Sequence, residues 1–122
     1  MAEPIRLRTP LTDDDVLGLT AGDRVLISGP LIAARDAAHQ RLVDLIRRGE
    51  PLPVDLTGQV IYYVGPTPPP PGRVIGSAGP TTAARMDAYA PALLERGLKG
   101  MIGKGRRSPA LVQKLQEHRA VY

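Results

Sequence analysis

Short apolar runs alternate with amphipathic segments along most of the chain. Residues 25–28 and 60–64 are predicted to be buried strands, because each is a short apolar run that ends just before a Gly-Pro pair. Between them, apolar residues recur at helical spacing and predict a helix that stops at Gly49. These residues are Ala38, Leu42, Leu45 and Ile46. Since strand, glycine turn and helix follow one another repeatedly, the pattern predicts an α/β fold with parallel strands joined by right-handed crossovers.

Helix starts and weaker apolar runs complete this prediction. Thr12 and Asp15 have the spacing of a capping box, and Ser108 followed by Pro109 marks the start of a last helix. Residues 81–96 predict a helical segment, and any break in it is expected near the proline at position 91. Weaker strand signals lie at 5–7, 73–80, 99–102 and in the final AVY.

The composition narrows the kind of core and of connections. With neither Phe nor Trp and only four Tyr, aliphatic residues must fill the interior of this 122-residue chain, which is expected to form one domain over residues 1–122. Thirteen Gly and thirteen Pro cluster between the apolar runs, as expected for tight connections. The TPPPPG stretch is predicted to be a rigid polyproline connector, with a ligand for a proline-binding module as the alternative.

Charge and cysteine content exclude some functions. The chain has 16 Lys and Arg against 12 Asp and Glu, and its positive charge is spread out with no interleaved aromatic residues. A nucleic-acid partner is therefore not expected. The absence of Cys excludes disulfides and thiolate ligation of a metal by this chain. No leader or membrane-spanning segment is recognised, so we expect a cytoplasmic protein without a membrane partner.

Two arginines are predicted to lie near the starts of helices, where a cation opposes the helix dipole. Arg35 lies in ARDAAHQRL and Arg85 in PTTAARMD, both among small residues. An anion would compensate, because free backbone N–H groups and a guanidinium together bind a carboxylate or phosphate. The alternative is that the helix starts are misplaced and that these arginines pair with Asp36 and Asp87.

Lys104 is a third candidate cation, because it lies between two glycines in GKGRRS and could reach into a cleft. The spacing of a Walker motif is absent. Arg106 and Arg107, in the same segment, are predicted to lie on a solvated loop. Three cations on different loops would suit a ligand with more than one carboxylate.

Hydroxyl and imidazole groups near these cations have structural interpretations. Thr81 or Thr82 is expected to cap the helix that follows. Proton exchange with a substrate would require a partner for the threonine hydroxyl, and the sequence indicates none. His39 follows Arg35 by four residues and would share its helix face, where a structural role is expected.

Three segments together resemble one known family. GPLIAARDAAHQRL, VIYYVGPTPPPPGRVIGSAGPTTAARMDAYAP and GLKGMIGKGRRSP are similar to the β subunit, or C-terminal domain, of the class I iron–sulfur fumarate hydratases and the related L(+)-tartrate dehydratases. The similarity covers about residues 11–122, and the combination of ARDAAH, GPTT-x-x-RMD and GKG is its specific part. It implies a swivelling β/β/α domain that closes over an active site carried by another subunit or domain.

The resemblance also implies a reaction, a cofactor and a partner. The chain would be a subunit of a hydro-lyase for a C4 dicarboxylate, fumarate and malate first and tartrate second, and it would be inactive alone. A cysteine-bearing α subunit would hold a 4Fe-4S cluster, so a hetero-oligomer is expected and no cofactor is expected on this chain.

Residue roles are carried over by motif position. The resemblance implies that Thr81 is the catalytic base at the reacting carbon. The expected ligands of the substrate carboxylates are Arg35, Arg85 and Lys104. Supporting roles are implied for His39, Thr82 and Asp87, and no metal ligand is expected among them.

The C-terminal end departs from the family pattern. Family members continue for some tens of residues beyond the position of Tyr122, and AVY is typical of the start of a strand. We therefore expect a domain that is truncated here relative to the family. The alternative to a hydro-lyase subunit is a non-catalytic anion-binding or regulatory module derived from the same domain.

Overall fold

The computed structural model describes residues 3–122, in which strands and helices alternate over much of the chain. The strands are β1 (Ile5–Arg8), β2 (Val25–Ser28), β3 (Ile32–Ala33), β4 (Val60–Tyr62) and β5 (Gly100–Ile102). The α-helices are α1 (Asp13–Leu17), α2 (Asp36–Arg47), α3 (Ala90–Glu95) and α4 (Pro109–Glu117), and a 3₁₀ helix covers Ala83–Met86. Residues 1 and 2, part of the stretch predicted to lack a leader peptide, lie outside the described residues.

The strands within residues 3–122 pair in parallel and form two sheets. The smaller sheet pairs β1 with β2, and the larger sheet has the order β3–β4–β5. Val121 makes a further parallel bridge with Gly100, so the final AVY begins to pair beside β5 as predicted. Parallel neighbours require crossover connections, and α2 and α3 provide these in the larger sheet. The predicted α/β fold with parallel strands is confirmed.

The larger sheet is buried on both faces. Ile61 in β4 belongs to the main hydrophobic cluster, whereas Val60 belongs to a smaller cluster with Leu7 and Leu11. Neighbouring residues of a strand point to opposite faces, so these two clusters cover opposite sides of the sheet. The main cluster also contains Tyr63, Met86, Leu93 and Leu94, all buried. Aliphatic residues, Met and one tyrosine thus replace the missing Phe and Trp.

The helix ends follow the predicted capping residues. Thr12 Oγ1 accepts a hydrogen bond from the Asp15 N–H at 3.2 Å, and the Asp15 carboxylate accepts one from the Thr12 N–H at 2.9 Å. Ser108 Oγ accepts from the Leu111 N–H at 3.2 Å at the start of α4. After α2, Gly49 has a φ of +69°, the left-handed conformation that glycine adopts readily behind a helix.

Two predicted strands differ from the structure, and one observed strand was not predicted. β2 is a strand but is largely exposed, because its sheet has only one other strand in the described residues. β3 was not predicted, since two residues after a Gly-Pro turn give too short a pattern. The apolar run 73–80 forms no strand within the described structure, and Val74 is 99% exposed.

The helical segment predicted over 81–96 is divided. The 3₁₀ helix ends at Met86, a turn covers 87–89, and α3 begins at Ala90. The break therefore precedes Pro91, which lies in the first turn of α3, where a missing N–H leaves no intrahelical bond unmade. Within residues 3–122, no helix combines the length and the apolar character needed to cross a bilayer.

Burial on β4 makes a direct stability prediction. We expect Ile61→Ala to lower the free energy of unfolding by about 2–5 kcal/mol, because it removes a fully buried side chain and leaves a cavity. The matched control is Ile75→Ala, whose side chain is exposed and whose change should stay within about 0.5 kcal/mol. Urea denaturation measures both. Equal effects of the two substitutions would contradict the assignment of β4 to the core.

Candidate functional site at the carboxyl ends of the larger sheet

The segments that follow β3, β4 and β5 meet at one edge of the larger sheet. Parallel strands end at the same edge, so Arg35 after β3, Gly65 after β4 and Lys104 after β5 are brought near one another. The 81–86 segment is attached to the same edge. The Thr81 N–H donates to the Tyr63 carbonyl at 2.8 Å.

Backbone hydrogen bonds join the loop after β5 to that segment. The Lys104 N–H donates to the Thr81 carbonyl at 3.2 Å, and the Ala83 N–H donates to the Lys104 carbonyl at 2.9 Å. Thr82 and Lys104 form an isolated parallel bridge between these two bonds. The GPTT and GKG motifs are therefore held side by side.

Arg35 lies at the N-cap position of α2 and crosses over Gly65. A Cβ atom placed on Gly65 would overlap the Arg35 guanidinium, so this position must lack a side chain for the arginine to lie as it does. Arg35 is exposed, and no carboxylate of residues 3–122 forms an ion pair with it or with the exposed Lys104. Both charges are thus available to a ligand.

Arg85 lies in the 81–86 segment and extends toward the N-terminal end of α2. One guanidinium nitrogen, Nη2, donates to Thr81 Oγ1 at 3.1 Å and lies 3.2 Å from a carboxylate oxygen of Asp36. The side chains of Arg85 and Asp36 are 51% and 53% exposed. Since Asp36 directly follows Arg35, the Arg85 guanidinium lies close to the helix terminus that carries Arg35. Arg85 is also the hydroxyl partner that sequence reasoning did not find for Thr81.

Two interpretations of Arg85 and its threonines need correction. Arg85 does not lie in the first turn of a long helix; it lies in the last turn of the short 3₁₀ helix, so its supposed conflict with a helix dipole is absent. Thr82 occupies the N-cap position but makes no side-chain capping bond within the described residues, and the Thr81 hydroxyl instead receives the bond from Arg85. Neither threonine has the predicted capping bond. The alternative pairing with Asp36 holds for Arg85, across the site.

Arg107 was predicted to lie on a solvated loop, and that prediction is wrong. Its side chain is 2% exposed, and its Nε donates to an Asp87 carboxylate oxygen at 2.6 Å. The other Asp87 oxygen accepts from the Ser108 N–H at 2.8 Å. A second Arg107 nitrogen, Nη2, donates to the Tyr63 hydroxyl at 3.1 Å. Burial raises the pKa of Tyr63, although the positive charge of Arg107 acts in the opposite direction.

No sequence signal indicated this buried contact, because its partners are about twenty positions apart and lie in different loops. The guanidinium also lies over two aromatic rings, 4.8 Å from the centroid of Tyr122 and 5.2 Å from that of Tyr63. Arg106, by contrast, is exposed as predicted.

His39 lies beneath the site and not on its surface. Its Nδ1 must carry the proton, because it contacts the Arg35 carbonyl at 2.8 Å, and that oxygen can only accept. The ring packs against Tyr63 with centroids 5.4 Å apart, and Nε2 has no hydrogen-bond partner among residues 3–122. Burial lowers the pKa of His39, so the ring is expected to be neutral near pH 7. The expected structural role agrees with this geometry.

Within residues 3–122, the three cations of the candidate site lie on the exposed surface of the protein. Two clefts of about 980 and 910 Å³ lie elsewhere, one beside α2 and the other between the smaller sheet and α4. Neither is lined by Arg35, Arg85, Thr81 or Lys104. Within residues 3–122, no group of His, Cys, Asp or Glu side chains is arranged to hold a metal ion. The arrangement offers fixed cations and a hydroxyl to an anion.

A known protein family matches the chain over its whole length. A family model described as Fumarase C-terminus matches residues 1–122.

Relatives of established name are similar along most of the chain. Fumarate hydratase 2 of Leishmania major is 40% identical over 102 residues, which are 83% of this chain and 18% of that protein. L(+)-tartrate dehydratase subunit beta of Escherichia coli (strain K12) is 34% identical over 119 residues, 95% of this chain and 58% of that protein. Fumarate hydratase class I, aerobic, of Salmonella typhimurium is 40% identical over 100 residues, 81% of this chain and 17% of that protein. The chain thus spans less than two thirds of the length of each.

Proposed function

Because the chain belongs to the Fumarase C-terminus family, we propose that it is the β-type part of a hydro-lyase that adds water to, or removes it from, a C4 dicarboxylate. Fumarate and malate are the first candidates and tartrate the second, from the names of the relatives. The observation that supports this most strongly is that Arg85, which donates to Thr81, also pairs with Asp36, the residue next to Arg35 at the start of α2.

The cations suit a ligand with two carboxylates. Guanidinium groups bind carboxylates through paired N–H donors, and the first N–H groups of α2 have no intrahelical partners. Arg35 and Arg85 would bind near this helix end, and Lys104 would neutralise charge from the loop after β5. Because all three side chains are exposed, a ligand can reach them without unfolding the chain.

Asp36 holds Arg85 ready for a substrate. The two side chains are about half exposed, and an ion pair of this kind contributes about 0–1 kcal/mol to stability. A substrate carboxylate can therefore replace Asp36, or share Arg85 with it, at little energetic cost. The bond from Arg85 to Thr81 keeps the guanidinium beside the hydroxyl during that exchange.

Thr81 would transfer the proton. A guanidinium that donates to Oγ1 stabilises negative charge on that oxygen, so the ionised form of the threonine, which can act as a base, becomes more accessible. In the dehydration direction, the ionised Thr81 Oγ1 would accept the proton from the carbon next to a carboxylate and become a neutral hydroxyl, while the hydroxyl group on the neighbouring carbon leaves with the electrons of its bond. In hydration, Thr81 would return a proton to that carbon.

The residues of this chain do not fit the 4Fe-4S cluster that the resemblance implies. The sequence has no cysteine, and the described residues contain no metal-ligating group. A cysteine-bearing α partner would therefore hold the cluster, and the name "subunit beta" of the E. coli relative supports a hetero-oligomer. The open candidate surface suits a swivelling domain, formed by residues 1–122, that closes over the partner's site and has no activity alone.

Removal of Arg85 tests the assignment. We expect Arg85→Ala in the complex with the α partner to lower kcat/KM for fumarate hydration by about 10²-fold or more, because a charged ligand to the substrate and the donor to Thr81 are both lost. Arg96→Ala is the control, since Arg96 is an exposed arginine at the C-terminal end of α3. The loss of fumarate absorbance measures both rates.

An active complex that tolerates Arg85→Ala would contradict the assignment. A complex that binds dicarboxylates without turnover would instead favour the alternative, a non-catalytic anion-binding module.

The glycine under Arg35 gives a second test. Gly65→Ala should displace the guanidinium, and we expect KM for the dicarboxylate to rise about tenfold, which corresponds to about 1.4 kcal/mol. The arginine side chain can move, so thermal stability should change little. Gly18→Ala is the control, because Gly18 lies at the end of α1, outside the candidate site, and a Cβ there would make only ordinary contacts at 3.6 and 3.7 Å. Equal KM values for the two variants would show that the position of Arg35 is unimportant.

A further inference from the structure

Arg107 is a buried cation that touches none of the surface expected to bind substrate. Its side chain is 2% exposed, and its Nε and Nη2 donate to Asp87 and to the Tyr63 hydroxyl. The terminal Tyr122 covers the guanidinium, and its own hydroxyl donates to the Gly105 carbonyl at 2.7 Å. A cation that is buried this deeply and paired with a carboxylate requires an explanation.

Each contact of Arg107 lies next to a candidate site residue. Asp87 follows Arg85 by two positions, and Arg107 itself follows Lys104 by three. The carbonyl of Tyr63 accepts the Thr81 N–H at 2.8 Å. Arg107 therefore joins the loop that carries Lys104 to the segment that carries Thr81 and Arg85, and to Tyr63, whose carbonyl holds Thr81.

Stability alone is a poor explanation for this ion pair. Removing two charges from water costs free energy that their mutual attraction often only just offsets, and apolar residues of similar volume often stabilise a core equally well. What an apolar pair cannot supply is the fork geometry, in which Nε and Nη2 of one planar group fix two acceptors in direction as well as in distance.

We propose that Arg107 is a positioning residue, which sets Lys104 against Thr81 and Arg85 so that all three meet one substrate. This role rests on the proposed function. The backbone bonds of Lys104 to Thr81 and Ala83 hold the loop as well, so a change at Arg107 moves Lys104 without releasing the loop.

The test combines two substitutions in the complex with the α partner. Arg107→Lys keeps the positive charge but removes the planar group whose two nitrogens bond to Asp87 and Tyr63. We expect KM for the dicarboxylate to rise about tenfold with a smaller change in kcat, because ground-state binding by Lys104 is weakened. In a Lys104→Ala background, Arg107→Lys should change KM by less than about twofold, because the residue through which it acts is already absent.

Two further variants separate this role from a structural one. Tyr63→Phe removes only the hydroxyl that accepts from Nη2, keeps the ring, and is expected to raise KM in the same direction by a smaller factor. If Arg107→Lys does not fold, the KM of Tyr63→Phe tests the proposed role of Arg107 in its place. Lys99→Ala is the matched control, since Lys99 lies just before β5, is 15% exposed, and bonds to the His118 and Arg119 carbonyls at 3.0 and 3.3 Å and to Asp13. It should lower the melting temperature without changing KM.

The outcomes distinguish the claims. A rise in KM that is lost in the Lys104→Ala background supports the role of Arg107. An equal rise in both backgrounds, an unchanged KM in Arg107→Lys, or an equal rise in Lys99→Ala would overturn it while wild-type turnover leaves the proposed function intact. A wild-type complex without turnover would overturn the proposed function and this role with it.

Discussion

The parallel pairing of β3, β4 and β5 is the constraint on which the candidate site depends. Because the three strands run in one direction, their carboxyl ends share an edge, and the loops that follow them carry Arg35, Gly65 and Lys104 to one place. An antiparallel partner for β4 would send one of these loops to the far edge. The 81–86 segment joins this edge through the Thr81 bond to the Tyr63 carbonyl, and Arg85 of this segment pairs with Asp36 at the start of α2.

The charged residues at this edge of the sheet differ in their exposure to solvent, and this difference suits the binding of an anion. Arg35, Arg85 and Lys104 are exposed, and the weak pair between Arg85 and Asp36 leaves that cation exchangeable. By contrast, the Arg107 side chain is buried, and both carboxylate oxygens of its partner Asp87 accept hydrogen bonds. The three cations of the candidate site thus face the solvent, whereas the Arg107 guanidinium lies inside the protein. Such an exposed set of cations is what the proposed function requires of a domain that closes over the active site of a partner.

Local signals in the sequence predicted the elements but not their contacts. Caps such as Thr12 and Ser108 act within one turn, so spacing alone identified them. The strand predicted at 73–80 does not form; its large apolar residues Val74 and Ile75 are exposed, and apolar content alone cannot distinguish a strand from a loop. Arg107 appeared solvated beside Arg106, since its partners are remote in sequence. The site residues came from motif resemblance, and their roles stay predictions; geometry added Arg85 as the partner of Thr81.

Binding of a dicarboxylate by the purified chain, followed by nuclear magnetic resonance, tests the shared site most directly. Succinate would be titrated into labelled protein while the side-chain Nε–H signals of Arg35 and Arg85 and the Lys104 amide are observed, with butyrate as the monocarboxylate control. We predict that the three signals shift together, with one apparent Kd for succinate and far smaller shifts for butyrate. Different dissociation constants at the two arginines, or equal signal shifts with succinate and butyrate, would contradict a single binding site for both carboxylates.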